Sequence, residues 1–251
     1  MTDHPFSLDG RTALITGGSR GIGYAIAQAY VAAGARVVIT ARGKAALDDA
    51  AKSLGANAIA RVCDVSDHAE VVATVDDAWR LGPIDVLVNN AGISPYYKRL
   101  EHVTPEEYQS VQDVNLRGAY FMSVEVAKHC FEAERSAAIV NISSMAGTIP
   151  LARQGVYGAA KAGLDQLTRS MALEWADRSI RVNAISPGWV ESDLVSELFA
   201  TRHGEGLRAD IPMGRVASPE EVAGMAVYLA SDAASYVTGT VMLVDGGRSL
   251  R

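Results

Sequence analysis

Tyr157 and Lys161 stand four residues apart, a spacing that sets two side chains on one helical face, one turn from each other. A free phenol titrates at about 10, too high for a good base at neutral pH. A neighbouring ammonium favours the phenolate, so the pair could act as a tunable acid and base. The same spacing also describes an ordinary surface pair, and the two residues need company to mean more. Ser143 and Ser144 supply a candidate. They follow an apolar run at 138–142 that reads as a strand, and ligands bind at strand ends in parallel sheets. A serine hydroxyl there could donate to a substrate oxygen as negative charge develops on it.

A second constellation lies near the start of the chain. Thr16-Gly17-Gly18-Ser19-Arg20-Gly21-Ile22-Gly23 follows one predicted strand and opens one predicted helix, the setting that a dinucleotide phosphate loop requires. Gly17 permits the turn, Gly21 lets the backbone approach a pyrophosphate, and Gly23 lets helix and strand pack closely. The helix N-terminus offers free N–H groups and a positive dipole end to the phosphates. Between Asp9 and Asp48 there is no acid, while Arg11, Arg20, Arg36, Arg42 and Lys44 fall in that stretch. The second strand ends Thr40-Ala41-Arg42, without the acid that would bind an adenosine 2′-hydroxyl. Arg42, assisted by Arg20, could hold a 2′-phosphate instead, so NADP(H) is expected over NAD(H); the plain alternative for Arg42 is a solvated surface side chain.

The elements that must position these residues alternate. Strands are expected at 11–16, 36–40, 58–63, 84–89, 138–142, 181–185 and 241–244. Helices are expected at 20–33, 44–54, about 70–81, from Thr104-Pro105-Glu106-Glu107 onward, at 157–176, and from Ser218-Pro219-Glu220-Glu221 to about 230. Both Thr104 and Ser218 begin a capping box with Pro at the first helical position. Strands this rich in Val and Ile need cover on both faces, which implies an α/β fold with a doubly wound parallel sheet. No linker or repeat divides the chain, so residues 1–251 are expected to form one dinucleotide-binding and catalytic domain. The irregular stretch at about 188–216 reads as a flexible substrate loop.

Composition narrows the function classes. The chain has 251 residues, 49% of them hydrophobic, and a net charge of −6, which argues against nucleic acid as a main partner. No apolar run reaches the roughly 20 residues that span a bilayer. Without a secretion signal, and with only Cys63 and Cys130, a reduced cytoplasmic protein is expected. His4, His68, His102, His129 and His203 show no metal-ligand spacing, so no metal is expected.

Together these motifs resemble the single-domain branch of the short-chain dehydrogenase/reductases, from about Leu8 to Gly247. The likeness rests on TGGSRGIG at 16–23, Asp64, Asn89-Asn90-Ala91-Gly92, Asn115, Ser144, Tyr157-Gly158-Ala159-Ala160-Lys161 and Pro187-Gly188. The resemblance implies a Rossmann-like sheet of about seven strands with helices on both faces. It selects Ser144 over Ser143 as the hydroxyl donor. It makes Asn115 the holder of a water that links Lys161 to solvent, and Lys161 the residue that binds the nicotinamide ribose and lowers the Tyr157 pKa. It implies that Gly17, Ser19, Arg20, Gly21, Ile22, Gly23, Arg42, Asp64, Val65, Asn89, Ala91, Gly92, Pro187 and Gly188 contact or support the cofactor, with Asp64 at the adenine. Substrate contacts are expected from Tyr96, Gln154 and Trp189, with Leu194, Leu198, Phe199 and Met213 as further lining. The implied activity is hydride transfer between NADP(H) and a small-molecule ketone, oxoacyl or sugar-type carbonyl or alcohol, as in 3-oxoacyl-ACP reductases and ketone or sugar dehydrogenases. A non-catalytic NADP(H) sensor is the alternative. By the same analogy the chain is a homotetramer, packed in part through 237–239 and 245–247.

Overall fold

The computed structural model describes residues 4–192, 195 and 202–251. Seven parallel strands form one sheet in the order β3-β2-β1-β4-β5-β6-β7. They are β1 Thr12–Thr16, β2 Arg36–Ala41, β3 Ala58–Val62, β4 Val86–Asn89, β5 Ala137–Ile142, β6 Ile180–Pro187 and β7 Val241–Val244. Every residue of β1, β4 and β5 is buried. Successive side chains leave opposite faces of a strand, so each apolar strand feeds two cores. Ile15, Val37, Ile39, Val88 and Val140 join Leu8, Ile26 and Leu229 on one face. Leu14, Val38, Leu87 and Ile139 join Val71, Met122 and Met171 on the other.

The first face is covered by α1 Gly21–Ala32, α2 Lys44–Leu54 and α8 Pro219–Ala230. Tyr30 of α1 donates its hydroxyl to Ala226 O of α8 at 3.0 Å. The second face is covered by α3 His68–Leu81, α5 Ala119–Glu132 and α6 Gly155–Trp175. The capping box predicted at Thr104 opens α4, Pro105–Gln112: Glu107 N donates to Thr104 Oγ1 at 3.3 Å, and Thr104 N donates to Glu107 Oε2 at 3.0 Å. At Ser218 the Glu221 carboxylate accepts from Ser218 N at 2.9 Å.

The differences from the predicted elements have local causes. β4 starts at Val86 rather than Ile84, because Asp85 Oδ2 accepts from Thr12 N at 2.9 Å and holds the entry to the strand. β6 continues to Pro187, since Ser186 and Pro187 pair with Leu243 and Val244. The long helix predicted from Thr104 is broken by a π-helical turn, Asp113–Gly118, between α4 and α5. Within the stretch expected to be irregular lies α7, Arg202–Ala209, despite Gly204 and Gly206. Val190 and Ala217, near the two ends of that stretch, pair side by side in parallel. Leu194, Leu198 and Phe199 lie outside the described residues. Among the described residues no helix is long and apolar enough to cross a membrane.

Candidate active site

The strand order turns around between β1 and β4, and a crevice at the carboxyl ends of these strands is where a doubly wound sheet receives a ligand. The glycine loop leaves β1 there. Gly17 and Gly21 have φ of +66° and +57°, the left-handed region that glycine occupies without strain. A Cβ on Gly23 would stand 2.3 Å from Gly17 O, so helix and loop touch as closely as predicted, whereas a Cβ on Gly21 would meet nothing within 4 Å. Helix α1 has no side-chain cap and no acid in its first turn. Its N-terminal N–H groups and the open backbone at Gly21 therefore fit a pyrophosphate.

Two residues that the motifs include without a role of their own, Thr16 and Asn90, hold this loop. Thr16 Oγ1 accepts from the backbone N–H of Asn90 and of Ala91, both at 3.0 Å. The Asn90 side chain donates to Thr16 O and to Gly17 O, both at 3.0 Å. Asn89, expected at the cofactor, instead turns its buried amide inward to Ser123 Oγ and Asn141 Oδ1, both at 2.8 Å. Its side chain supports the strands from below and offers no donor to a ligand. Adjacency to the turn in the Asn89-Asn90 pair was the available signal, and only the partner strand could say which asparagine faces it.

Arg20, at the N-cap of α1, is exposed. Arg42 is 65% exposed and reaches Asp64 Oδ2 at 4.0 Å. Burial works against the Asp64 charge, yet the Ser66 hydroxyl and amide, helped by Arg42, hold its carboxyl below the usual range. Asp64 does not cap the following helix; Asp67 does, accepting from Ala69 N and Glu70 N. Val65 is buried, with its backbone against Gly118. Gly188, after Pro187, packs on the end of β7, where a Cβ would lie 2.7 Å from the Asp245 Cα.

Helix α6 brings the chemistry to this crevice. Its second turn lies on the short turn Met145–Gly147 that follows β5, and Gly158 makes the approach possible: a Cβ there would stand 2.6 Å from Ala146 O. The close fit brings the Ser144 hydroxyl near the Tyr157 phenol. Ser144 is partly exposed, whereas Ser143 is buried and donates to Lys161 O at 3.3 Å. Lys161 is 3% exposed, its Nζ 2.8 Å from Ile142 O and 5.8 Å from the Tyr157 ring centroid. Burial drives its pKa down to about 8, against the pull of Asp165. For the residues on their own, burial pushes the Tyr157 phenol above its ordinary value, and the Ser144 hydroxyl offsets part of this. In the chain alone Lys161 does not offset this rise.

Asn115 sits on the π-helical turn. Both donors of its amide are engaged, with Ile93 O at 2.8 Å and Val111 O at 3.0 Å, and its Oδ1 accepts from Ile93 N at 3.0 Å. The side chain fixes the segment after β4 and has no donor left for a water. Gly92 is needed beside it, since a Cβ would lie 2.7 Å from Asn115 Oδ1 and 3.6 Å from Lys161 Nζ. Tyr96 packs with Tyr157 on a small cluster of Val111, Val156 and Ala160. Its buried hydroxyl has no hydrogen-bond partner. Gln154 is the N-cap residue of α6. Trp189 and Met213, with Ile211 and Asp245, line a separate hollow of about 80 Å³ that includes none of Ser144, Tyr157 and Lys161. A larger hollow of about 740 Å³, bordered by Arg11, Asp85 and Arg181, opens at the opposite ends of the strands.

Known proteins resemble this chain along nearly its full length. A family profile described as enoyl-(acyl carrier protein) reductase matches residues 17–249. Galactitol 2-dehydrogenase (L-tagatose-forming) from Cereibacter sphaeroides is 42% identical over 252 residues, which cover 96% of each chain. D-threitol dehydrogenase from Mycolicibacterium smegmatis is 40% identical, covering 99% of this chain and 96% of its own. A crystal structure of a gluconate 5-dehydrogenase from Burkholderia cenocepacia, in complex with NADP and tartrate, superposes with a TM-score of 0.93 at 35% identity and 98% coverage of both chains.

Proposed function

Since the chain belongs to the short-chain dehydrogenase/reductase family, we propose that it moves a hydride between NADP(H) and the carbon of a secondary alcohol or ketone, by a Ser144–Tyr157–Lys161 mechanism. The observation that carries this reading is the convergence of those three side chains at the end of β5, beside a glycine loop with free N–H groups. The two polyol dehydrogenases among the relatives favour a sugar-type alcohol and its ketone as the substrate.

NADP(H), when bound, supplies or accepts the hydride. The chain's residues handle the proton and the charge. In reduction, Ser144 donates to the carbonyl oxygen as it becomes negative, and Tyr157 gives it a proton. In oxidation the same phenol takes the hydroxyl proton. The burial that raises the Tyr157 pKa keeps it protonated and ready to donate; the positive charge of Lys161 serves to hold the nicotinamide ribose. Gly17, Gly21, Gly23, Ser19 and Ile22 form the phosphate loop, with Ala91, Gly92, Pro187 and Gly188 around the nicotinamide half and Asp64 and Val65 near the adenine. Arg20 and Arg42 supply cations for a 2′-phosphate. Tyr96 and Gln154 border the substrate side.

The test is a spectrophotometric screen of polyols with NADP⁺ and NAD⁺, and of ketoses and oxoacyl thioesters with NADPH and NADH. Turnover is expected with the 2′-phosphorylated cofactor at about 10- to 100-fold higher kcat/KM, the worth of one charge-assisted hydrogen bond. Tyr157→Phe should lose activity while still binding NADPH. Tight NADPH binding without turnover on any substrate would instead point to a sensor, and more than a few per cent activity in Tyr157→Phe would remove the acid–base assignment.

A further inference from the structure

We propose that Asp165 is a positioning residue for this reaction: from one turn beyond Lys161 its carboxylate keeps that lysine an ammonium and clamps the Ser144 turn onto α6. The proposal rests on the function inferred above, in which Lys161 must carry a charge. Tyr157, Lys161 and Asp165 follow each other at four-residue steps and so rise along one face of the helix. Asp165 is 3% exposed, and its Oδ1 has no hydrogen-bond partner. A buried carboxylate left partly unsatisfied is costly and needs a compensating cation.

The surroundings identify what it acts on. Burial pushes the Asp165 carboxyl up, and the nearby Ser143 hydroxyl and the cations Arg169 and Lys161 oppose that rise. Seen from Lys161, the neighbours on other elements are uncharged: Ile142 O on β5, and Gly92 with Asn115 across the crevice. On its own helix lie Tyr157 and Asp165. Asp165 is thus the carboxylate that opposes the loss of the Lys161 proton on burial. The second contact is steric. A Cβ on Gly147 would stand 3.0 Å from Asp165 Oδ2, so the carboxylate lies directly against the end of the turn that begins at Ser144. With Ser143 at one end of that turn and Gly147 at the other, Asp165 fixes where the Ser144 hydroxyl stands relative to Tyr157.

Asp165→Asn removes the charge and keeps the size of the side chain and an oxygen acceptor. A heteronuclear NMR titration of the Lys161 side chain, read without substrate, should move to lower pH by about one unit, or tenfold in the proton equilibrium. Activity of the same variant should fall about fivefold at pH 8 and change little near pH 6, since a lysine titrating about one unit lower is still an ammonium there. Asp165→Leu, a near-isostere without buried polar atoms, keeps the test open if the amide variant fails to fold. It should show the same displacement plus a pH-independent loss from the released turn. An unmoved Lys161 titration, or an Asn variant whose loss is equal at every pH, overturns the proposal. The titration needs no turnover, so a failed substrate screen leaves it readable.

Discussion

Lys161 occupies a position in which a charge is costly. It is almost fully enclosed, and its nearest fixed partner is a neutral carbonyl, Ile142 O. Desolvation disfavours an ammonium more than one such dipole can restore, so the pKa falls to about 8. The sign gives a pH dependence. Below about 8 the lysine is charged, as its proposed role at the nicotinamide ribose requires; above it the charge is lost. Because kcat/KM for the cofactor reports groups of the free enzyme, that parameter for NADPH in the reduction should decline above about pH 8. A flat profile to pH 10 would mean that Lys161 keeps its proton by other means. At this scale the sequence was readable where partners are close along the chain. Tyr157 and Lys161 declare each other through helical spacing. Thr16 and Asn90 could not, because 74 residues separate them and only the β1–β4 pairing brings them together. The inward turn of the Asn89 amide was hidden for the same reason: its partners Ser123 and Asn141 are distant in sequence.

Two contacts between elements set the geometry, and both depend on a missing side chain. Gly158 lets α6 rest on the Ser144 turn, and Gly92 lets the segment after β4 pass between Asn115 and Lys161. Gly158→Ala would force a methyl to within 2.6 Å of Ala146 O, and helix and turn must separate. Overpacking of this kind costs about 1–3 kcal/mol, and a shift of even 1 Å between reacting groups can cost about 100-fold in rate. Thermal unfolding should therefore show a modest loss and the assay a much larger one; equal tolerance in both would show that the turn yields freely. The strands, the glycine-loop helix and both Pro-initiated helices were legible from periodicity and caps. The π-helical turn at Asp113–Gly118 was not, because no residue type announces a turn widened by one residue. It exists here where Asn115 must direct its amide to Ile93, a requirement imposed from another element.

For the whole molecule, the alternation of apolar strands with helices was enough to expect a parallel sheet covered on both faces, and the observed order agrees with that expectation. The location of hollows was not legible. Trp189, expected at the substrate, lines a small space with Ile211 and Met213, and nothing in the order of residues marks that space. Assembly beyond one chain rests on family analogy, and light scattering should return four times the chain mass; a monomer in an active preparation would set the analogy aside.

The pairing of Val190 with Ala217 has a consequence for how such a protein diversifies. Backbone hydrogen bonds from Ala217 N to Trp189 O and from Glu191 N to Ala217 O, both at 2.9 Å, fasten the departing and returning strands of chain to each other. Ile211, Pro212 and Met213 return from that excursion onto Gly246 and Gly247, with Met213 N donating to Gly246 O at 3.1 Å, so a change of sequence there is felt at the end of the sheet's last strand.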